Sequence, residues 1–353
     1  MSSEKEIRVD AQRLRAFTSS IFTKLGVGEE ESRIWTDVLI EASLRGVDSH
    51  GILVLPMYAS IIEAGGIALN ATMNILRDNG PTLLLDGGNG IGPVIANRAM
   101  ELALERARQY GLSFVVVRNS NHFGIAGYYA MKSLALDMIG LAFTNAGPAL
   151  AAWGGRTKVI GSNALGIAVP AGKELPLVFD AAIGSAAGAK IFLAAEKGEL
   201  IPADWMIDKY GNATDDPKAL LNGGVVIPFG RHKGYGLGVI TDVLTGVISG
   251  GLFSTHVKSF AQDSSEPDGV CHSFAALDIK SFIPVADFNN RMDEMIRNIK
   301  KSERREGFDQ ILLPGERGFS TYDDRQRSGI PLHAKLVEDL RRLGQRLSTE
   351  FAF

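Results

Sequence analysis

The stretch that most limits the possible folds of this chain runs from Gly234 to Phe253 and carries a single charge, Asp242. It is long enough to cross a bilayer as a helix, but it contains six glycines and several Ser and Thr residues. A helix that is apolar all round is also typical of the centre of a globular protein. We therefore favour a buried central helix, in which the glycines allow close packing, over a membrane span.

Length and charge restrict the classes of partner. The chain has 353 residues, of which 45% are hydrophobic and 22% charged, and this composition fits a globular protein with two domains. Its net charge of -3 provides no broad basic surface, so a small ligand is expected rather than nucleic acid or an anionic membrane. Cys271 is the single cysteine, which indicates a reducing compartment. Because the N-terminus lacks a signal-peptide pattern, we expect a cytoplasmic protein.

Hydrophobic periodicity changes twice along the chain. Apolar residues recur at helical spacing between residues 11 and 44. After Gly65 and Gly66 the pattern becomes that of strands alternating with helices. From Asp287 onward the pattern is helical again. The periodicity therefore predicts a mixed α/β chain with helical segments at both ends.

A polar cluster of Asp48, Ser49 and His50 interrupts the first helical part and is flanked by glycines. A histidine beside a hydroxyl and a carboxylate can present a proton donor to a small ligand. The alternative is that these side chains only complete the last turn of a helix. His122 stands in a second polar turn, after the predicted strand 114–117. Two histidines in such turns favour an acid-base site.

Two further segments indicate an anionic ligand. Asp180 ends a short apolar strand, where its carboxylate could contact a ribose or nicotinamide, or cap the following helix. Arg231, His232 and Lys233 lie among glycines directly before the low-charge helix. Cations at this end oppose the helix dipole, so they need an anionic ligand or an acidic neighbour as partner. These residues are compatible with hydride transfer, hydrolysis or isomerisation.

Three other functional interpretations are weakened by the spacing of residues or by the absence of a motif. The turn at 86–92 resembles a dinucleotide-binding turn, but its glycine spacing fails and the next strand ends in Arg118 rather than an acidic residue. We interpret it as a structural turn. A zinc site of His50, His122 and His232 lacks the usual ligand spacing, so no metal is expected. The absence of a G-x-S-x-G motif weakens a serine hydrolase.

Six short motifs occur in order along nearly the whole chain. They are DSHG at 48–51, NSNHFG at 119–124, TN-x-x-P and W-GG from Thr144, IP-x-x-W-x-x-D-x-x-G-x-x-T-x-DP at 201–217, HKGYGL at 232–237 and LLPGE at 312–316. Together they resemble the motifs of the malate/L-lactate dehydrogenase family of NAD(P)-dependent oxidoreductases.

The resemblance implies both a fold and a reaction. The implied fold is a non-Rossmann α/β domain with a mixed sheet over residues 76–283, plus a helical domain formed by 1–75 and 284–353, in a typically homodimeric protein. The implied reaction is hydride transfer between the nicotinamide of NAD, with NADP as the alternative, and a small 2-hydroxy or 2-oxo acid. Reduction of a cyclic imino carboxylate, or dinucleotide binding without turnover, are the other possibilities.

The resemblance also assigns roles to residues. Either histidine can be the proton donor in the family, and we favour His50, with Asp48 and Ser49 to tune and orient it, which leaves His122 to hold the substrate. Further substrate contacts are expected from Ser49, Arg45 and Lys233. The expected cofactor-binding residues are Asn145, Asp180, Ala181, Ala182, Gly230, Arg231, His232, Gly315, Glu316 and Arg317.

The chain departs from the family pattern close to the substrate. Val54 stands where members usually carry an Arg that can clamp a carboxylate, and Ile183-Gly184 replaces Thr-Ser. We therefore expect either that another cation, among Arg45, Arg231 and Lys233, contacts the carboxylate, or that the substrate is less acidic than malate.

Overall fold

A computed structural model of the protein describes residues 6–258 and 264–351. Within these residues the α-helices are α1 (Ala11–Lys24), α2 (Glu29–Leu44), α3 (Leu55–Ala64), α4 (Gly92–Tyr110), α5 (Ala126–Met131), α6 (Gly188–Lys197), α7 (His232–Asp242), α8 (Val285–Lys300), α9 (Glu316–Ser328) and α10 (Ala334–Arg346). The strands are β1 (Ile7–Val9), β2 (Asn74–Asp78), β3 (Thr82–Asp86), β4 (Leu112–Ser120), β5 (Met138–Thr144), β6 (Leu150–Ala151), β7 (Lys158–Ile160), β8 (Leu165–Val169), β9 (Leu177–Ala181), β10 (Met206–Ile207), β11 (Val225–Val226), β12 (Val270–Asp278) and β13 (Ile330–Leu332).

A seven-stranded sheet forms the centre of the middle part of the chain. Its strand order is β2, β3, β4, β12, β5, β8 and β9. β3 and β4 run parallel, and every other neighbouring pair runs antiparallel. β12, which comes late in the chain, lies between β4 and β5, so a strand distant in sequence completes the centre of the sheet. This mixed sheet is not the parallel sheet of a Rossmann domain, and the predicted α/β class with a non-Rossmann sheet is confirmed.

The two largest hydrophobic clusters of the described residues lie on different elements. The first joins α1, α2, α3 and α10 around Trp35 and Tyr58, and the pairing of β1 with β13 brings the two ends of the chain to it. The second packs α4 and α5 against β4 and β12, around Phe123 and Phe274. We propose that these cores belong to the helical and α/β domains predicted with boundaries after residues 75 and 283.

The low-charge stretch from Gly234 to Phe253 is helical, as predicted, but only partly buried. α7 continues as a π-helical segment, Val243–Val247, and the chain turns at Gly250, whose φ is +67°. Ile240 and Val247 are 53% and 48% exposed, so the expectation of a fully buried helix was wrong. In the described parts of the chain, no helix is long and apolar enough to cross a membrane.

The turn after β3 is stabilised by contacts within the protein. Asp86 accepts hydrogen bonds from the backbone N–H of Gly88 and from the side chains of Arg118 and Asn119, at 2.9 to 3.0 Å. These bonds hold the pKa of the Asp86 carboxyl below its usual value, although partial burial opposes them. Arg118, which occupies the position where a dinucleotide-binding motif has an acidic residue, therefore stabilises the turn.

Candidate active site

The segment that carries His50 is a single 3-10 turn after α2, Asp48–His50. Ser49 places its hydroxyl oxygen 2.9 Å from His50 Nδ1, which leaves Nε2 as the ring nitrogen for a ligand. The next residue is Gly51, and a Cβ at this position would lie 2.1 Å from the Ser43 hydroxyl. The same hydroxyl accepts a hydrogen bond from the Ile52 N–H. The glycine after His50 is thus required for the turn to pack on α2.

Asp48 does not orient His50. Its carboxylate makes a bidentate ion pair with Arg325 of α9, with N–O distances of 2.5 and 3.0 Å. The same guanidinium donates to the carbonyl of Ser43 in α2 at 2.5 Å. The expectation that Asp48 orients the imidazole was therefore wrong, because Ser49 makes that contact and Asp48 attaches the turn to a distant helix.

The second histidine lies beside the first, as the sequence suggested. The ring centroids of His50 and His122 are 5.4 Å apart, and the Tyr58 hydroxyl is 2.5 Å from His122 Nδ1. Burial, together with the nearby His50 and His272, lowers the pKa of His122 to about 3. His122 is consequently a neutral imidazole at any pH where the protein would operate.

His50 and His122 are both partly accessible to solvent. Burial lowers the pKa of His50 below 6.5, yet part of the side chain is accessible. The two facts agree if His50 lies on the wall of a cleft, where surrounding protein desolvates the charged form while a small molecule can still reach the ring. A neutral histidine in such a place can accept a proton from a hydroxyl and return it.

Asp180 lies at the end of β9, next to the start of α5. Burial raises its pKa to about 6, even though the backbone N–H of Gly127 and the charge of Arg45 both favour the carboxylate. Its side chain is nonetheless accessible to solvent, so this group also lies on a concave surface surrounded by protein. The segment from His122 to Gly127 therefore connects the histidine pair to this carboxyl group.

Arg45 is held by protein groups on two sides. Its Nε donates to Glu41 at 2.7 Å, its guanidinium stacks at 4.6 Å from the ring centroid of Phe319 in α9, and its side chain is only 13% exposed. The predicted substrate contact of Arg45 stays a prediction. Val54 is partly buried and packs against the helical core. The chain therefore has an apolar side chain where family members usually carry an arginine.

The predicted cationic segment begins α7 and lies next to the chain that follows β9. Pro228 pairs with Gly184, and the Phe229 N–H donates to the Ile183 carbonyl at 2.9 Å. Arg231, the residue before the helix, has φ 60° and ψ -129°, a conformation that is rare without glycine. Such a strained turn presents its side chain and the helix start in a fixed direction.

The cations of this segment are exposed, and no acidic side chain of the described residues pairs with them. Arg231, His232 and Lys233 are all exposed, and within residues 6–258 and 264–351 none of them takes part in an ion pair. The Trp153 ring is near, with its centroid 6.3 Å from that of His232. Unpaired cations at the positive end of a helix dipole make a site for an anion such as a phosphate.

Several predicted cofactor residues are engaged by the protein itself. Asn145 is 1% exposed, and its amide bonds to Asp242, to the Leu252 carbonyl and to the Cys271 N–H at 2.8 to 3.1 Å. Glu316 pairs with Lys300 and accepts from the Leu313 N–H. Both side chains have structural contacts, and their cofactor contacts stay predictions.

The remaining predicted positions line the same region. Gly315, with φ +97°, approaches β9 so closely that a Cβ would lie 3.0 Å from the Val178 backbone nitrogen. Ala182, Gly230 and Arg317 are accessible to solvent, and Ala181 is partly buried. In the described residues no group of three or more His, Cys, Asp or Glu side chains is arranged to hold a metal ion.

Sequence reasoning missed three residues that support the site. Tyr58, Arg325 and His272 each contact a predicted site residue or its immediate neighbour: Tyr58 bonds His122, Arg325 bonds Asp48, and His272 stacks on Phe123 at 4.6 Å. Tyr58 is near His50 in the sequence but lies on the separate helix α3, and the other two come from distant segments.

Comparison with known proteins identifies the family. Residues 9–341 match the family model described as malate/L-lactate dehydrogenase. The chain belongs to this family. It is 38% identical, over 98% of its own length and 97% of the relative, to the malate dehydrogenase of Pyrococcus horikoshii. The solved structure of the sulfolactate dehydrogenase from Methanocaldococcus jannaschii gives a TM-score of 0.92 at 34% identity, with 98% of each chain covered.

A more distant comparison bears on the alternative substrate class. The structure of delta1-piperideine-2-carboxylate reductase from Pseudomonas syringae gives a TM-score of 0.84 at 25% identity, covering 96% of this chain and 99% of that one. The family predicted from the six motifs is therefore confirmed. The malate and sulfolactate dehydrogenases named above are more similar to this chain than the imine reductase is.

Proposed function

We propose that the protein transfers hydride between the nicotinamide of NAD or NADP and a small 2-hydroxy or 2-oxo acid. The observation that carries this proposal is the pair of neighbouring histidines, with ring centroids 5.4 Å apart, both partly accessible to solvent and one of them bonded to a serine hydroxyl. Relatives named as malate and sulfolactate dehydrogenases support the same substrate class. A cytoplasmic location stays a prediction.

The residues present fit a dinucleotide. Arg231 and Lys233 supply exposed cations at the start of α7, and this loop pairs with the chain after Asp180 through Gly184. Phosphates would bind at the helix start, with the chain after Asp180 alongside the rest of the cofactor. When bound, the dinucleotide accepts or supplies the hydride. NAD is the first expectation for the cofactor. A preference for NADP would indicate that its additional phosphate lies near these cations.

His50 is the proposed proton donor and acceptor. In the direction of oxidation, its Nε2 takes the proton of the substrate hydroxyl as the carbonyl forms, and in reduction it returns that proton to the same oxygen. The Ser49 hydroxyl at Nδ1 holds the ring in place. His122, which burial keeps neutral, donates a hydrogen bond to the substrate instead of exchanging a proton with it.

The substrate carboxylate needs a cationic or polar partner that Val54 does not provide. Lys233 and Arg231 are the exposed candidates near the cofactor region, whereas Arg45 is already paired with Glu41. We therefore propose Lys233 as the first candidate for the carboxylate contact, with Ser49 as a second polar contact. A substrate less acidic than malate remains the alternative reading of this difference.

The test is oxidation of NADH and NADPH against malate-type, lactate-type and sulfonated 2-oxo acids and against cyclic imino carboxylates. We expect at least one 2-oxo acid to be reduced, and we expect His50→Ala to lower kcat by roughly 100-fold or more, as is typical when an acid-base group is removed. Dinucleotide binding seen by quenching of Trp153 emission, without turnover of any substrate, would instead support a binding protein. Turnover of imines alone would support the imine reductase.

A further inference from the structure

Tyr58 makes a contact in the histidine pair that the proposed function does not use. Its hydroxyl lies 2.5 Å from His122 Nδ1. The side chain comes from α3 and is 1% exposed, and its ring packs edge-on against Trp35 with centroids 4.9 Å apart. Trp35 is in turn stacked on Phe22 at 4.2 Å. The hydroxyl therefore has little freedom to leave His122.

The neighbours of this hydroxyl decide which group donates. Burial and the charge of Asp268 raise the pKa of Tyr58 above its usual value, so the hydroxyl keeps its proton. His122 Nδ1 is the hydrogen-bond partner of this buried hydroxyl among the described residues. A Tyr58 proton directed elsewhere would be buried without an acceptor, so it is directed to His122.

A neutral imidazole carries one proton, and its two nitrogens have opposite roles. If Nδ1 of His122 accepts the Tyr58 proton, the ring proton must be on Nε2. His122 would then be a hydrogen-bond donor at Nε2 and could not take a proton there. This division leaves the acid-base step to His50, the partner ring 5.4 Å away.

We propose that Tyr58 is a positioning residue that fixes His122 as the Nε2-protonated neutral tautomer, so that His122 donates a hydrogen bond to the substrate oxygen or carboxylate. This inference rests on the proposed function for the substrate contact. The tautomer itself is a property of the free protein, and it can be tested without any substrate.

The experiment records ring nitrogen signals of 15N-histidine-labelled protein by long-range 1H–15N correlation, with His122 assigned from the signal lost in His122→Gln. We expect Nε2 to be protonated and Nδ1 unprotonated in the wild type. In Tyr58→Phe, which removes only the hydroxyl, we expect the tautomers to mix and kcat to fall roughly 10- to 100-fold, as when an outer partner that orients a functional histidine is lost. The KM for NADH should not change.

Tyr129→Phe is the matched control, because it removes another buried tyrosine hydroxyl in the same region. That hydroxyl donates to the Phe123 carbonyl at 2.5 Å rather than to the His122 ring. We expect this variant to lose a similar amount of stability while the His122 tautomer is retained. A loss of kcat in both variants without a change of tautomer would overturn the role of Tyr58 and indicate a general packing effect.

The two proposals fail in different ways. A proton on Nδ1 of His122 in the wild type would overturn the inference about Tyr58 even if the enzyme is active. An Nε2 proton that becomes mixed in Tyr58→Phe, in a protein that reduces no substrate, would support the positioning role and count against the proposed activity.

Discussion

His272 shows how one buried residue can serve a site that it does not touch. It is fully buried, with Nδ1 2.9 Å from the Thr144 hydroxyl and Nε2 2.9 Å from the Ser120 hydroxyl. Thr144 donates its own proton to the Asn145 carbonyl, so it accepts from Nδ1, and Ser120 donates to Nε2. The ring stacks on Phe123, the residue after His122.

The titration of His272 makes stability depend on pH. Burial lowers its pKa from 6.5 to about 3, so in this range the unfolded chain binds a proton that the folded protein does not. The stabilisation is present above pH 6.5 and is lost as the pH falls toward 3. We predict that His272→Gln, which keeps a donor and an acceptor, reduces the slope of unfolding free energy against pH by about 1.4 kcal/mol per pH unit between pH 6 and 4.

Urea unfolding at pH 6, 5 and 4 measures this slope. His122 has the same sign and Asp180, with its raised pKa, the opposite sign. Asp180 remains in the variant and cancels in the comparison, whereas His122 remains but loses the influence of His272 on its pKa. Parallel curves for wild type and variant, displaced only by a constant loss of stability, would show that His272 takes up a proton in the folded state as easily as in the unfolded one.

At the scale of elements, α9 connects the C-terminal part of the chain to the turn that carries His50, the proposed proton donor. Arg325 bonds Asp48 and the end of α2, and Phe319 stacks on Arg45 one turn before Asp48. The helix has no fully buried residue, although Phe319 and Tyr322 pack partly buried against hydrophobic clusters, so polar and stacking contacts contribute to its attachment. The 3-10 turn of Ser49 and His50 is thereby held from both sides.

We predict that Arg325→Ala lowers kcat by about 10-fold or more, because the His50 turn loses its attachment and a displaced acid-base group is costly. The effect on stability should be smaller, about 1 kcal/mol, since the Asp48 carboxylate is half exposed. Steady-state kinetics and thermal unfolding measure the two effects separately.

Arg327→Ala is the control, because Arg327 is an exposed arginine on the same helix. Equal kinetics for the two variants would mean that the ion pair to Asp48 has no part in positioning His50. Asp48→Asn should reproduce the kinetic effect of Arg325→Ala, and combining the two changes should add little, as expected for partners in one interaction.

At the scale of the whole molecule, the unburied face of α7 and its continuation suggests how copies of the chain associate. Ile240, Val243, Val247 and Ile248 are each between 42% and 55% exposed and follow one another at helical spacing. A continuous apolar patch of this kind marks an interaction surface more often than a free surface. We propose that it contacts a second copy of this chain, in the homodimer that the family resemblance implied.

We predict that Ile240→Glu combined with Val247→Glu converts a dimer into a monomer, because two charges on each copy would be buried against each other. Light scattering coupled to size-exclusion chromatography at micromolar concentration measures the mass. Leu200→Glu with Leu221→Glu, at two residues that are 74% and 65% exposed outside this face, should leave the mass unchanged. A wild-type monomer would contradict the proposal directly.

Local sequence determined the elements and the chemistry, because both depend on neighbouring residues. Helical spacing predicted the first helices, polar interruptions marked His50 and His122, and six ordered motifs identified the family. The failed glycine fingerprint was also informative, since Arg118 proved to hold the turn through Asp86.

The tertiary structure alone decided which partners these residues have. Arg325 and His272 are separated from the groups they serve by most of the chain, and β12 enters the sheet between strands that precede it by a long segment. No local pattern encodes such pairings, since they arise from the packing of complete elements. The same holds for burial. Periodicity shows which residues of a helix are apolar, but it does not show what covers them. The sequence of an apolar helix is therefore the same whether its outer face packs against the core or against another copy of the chain.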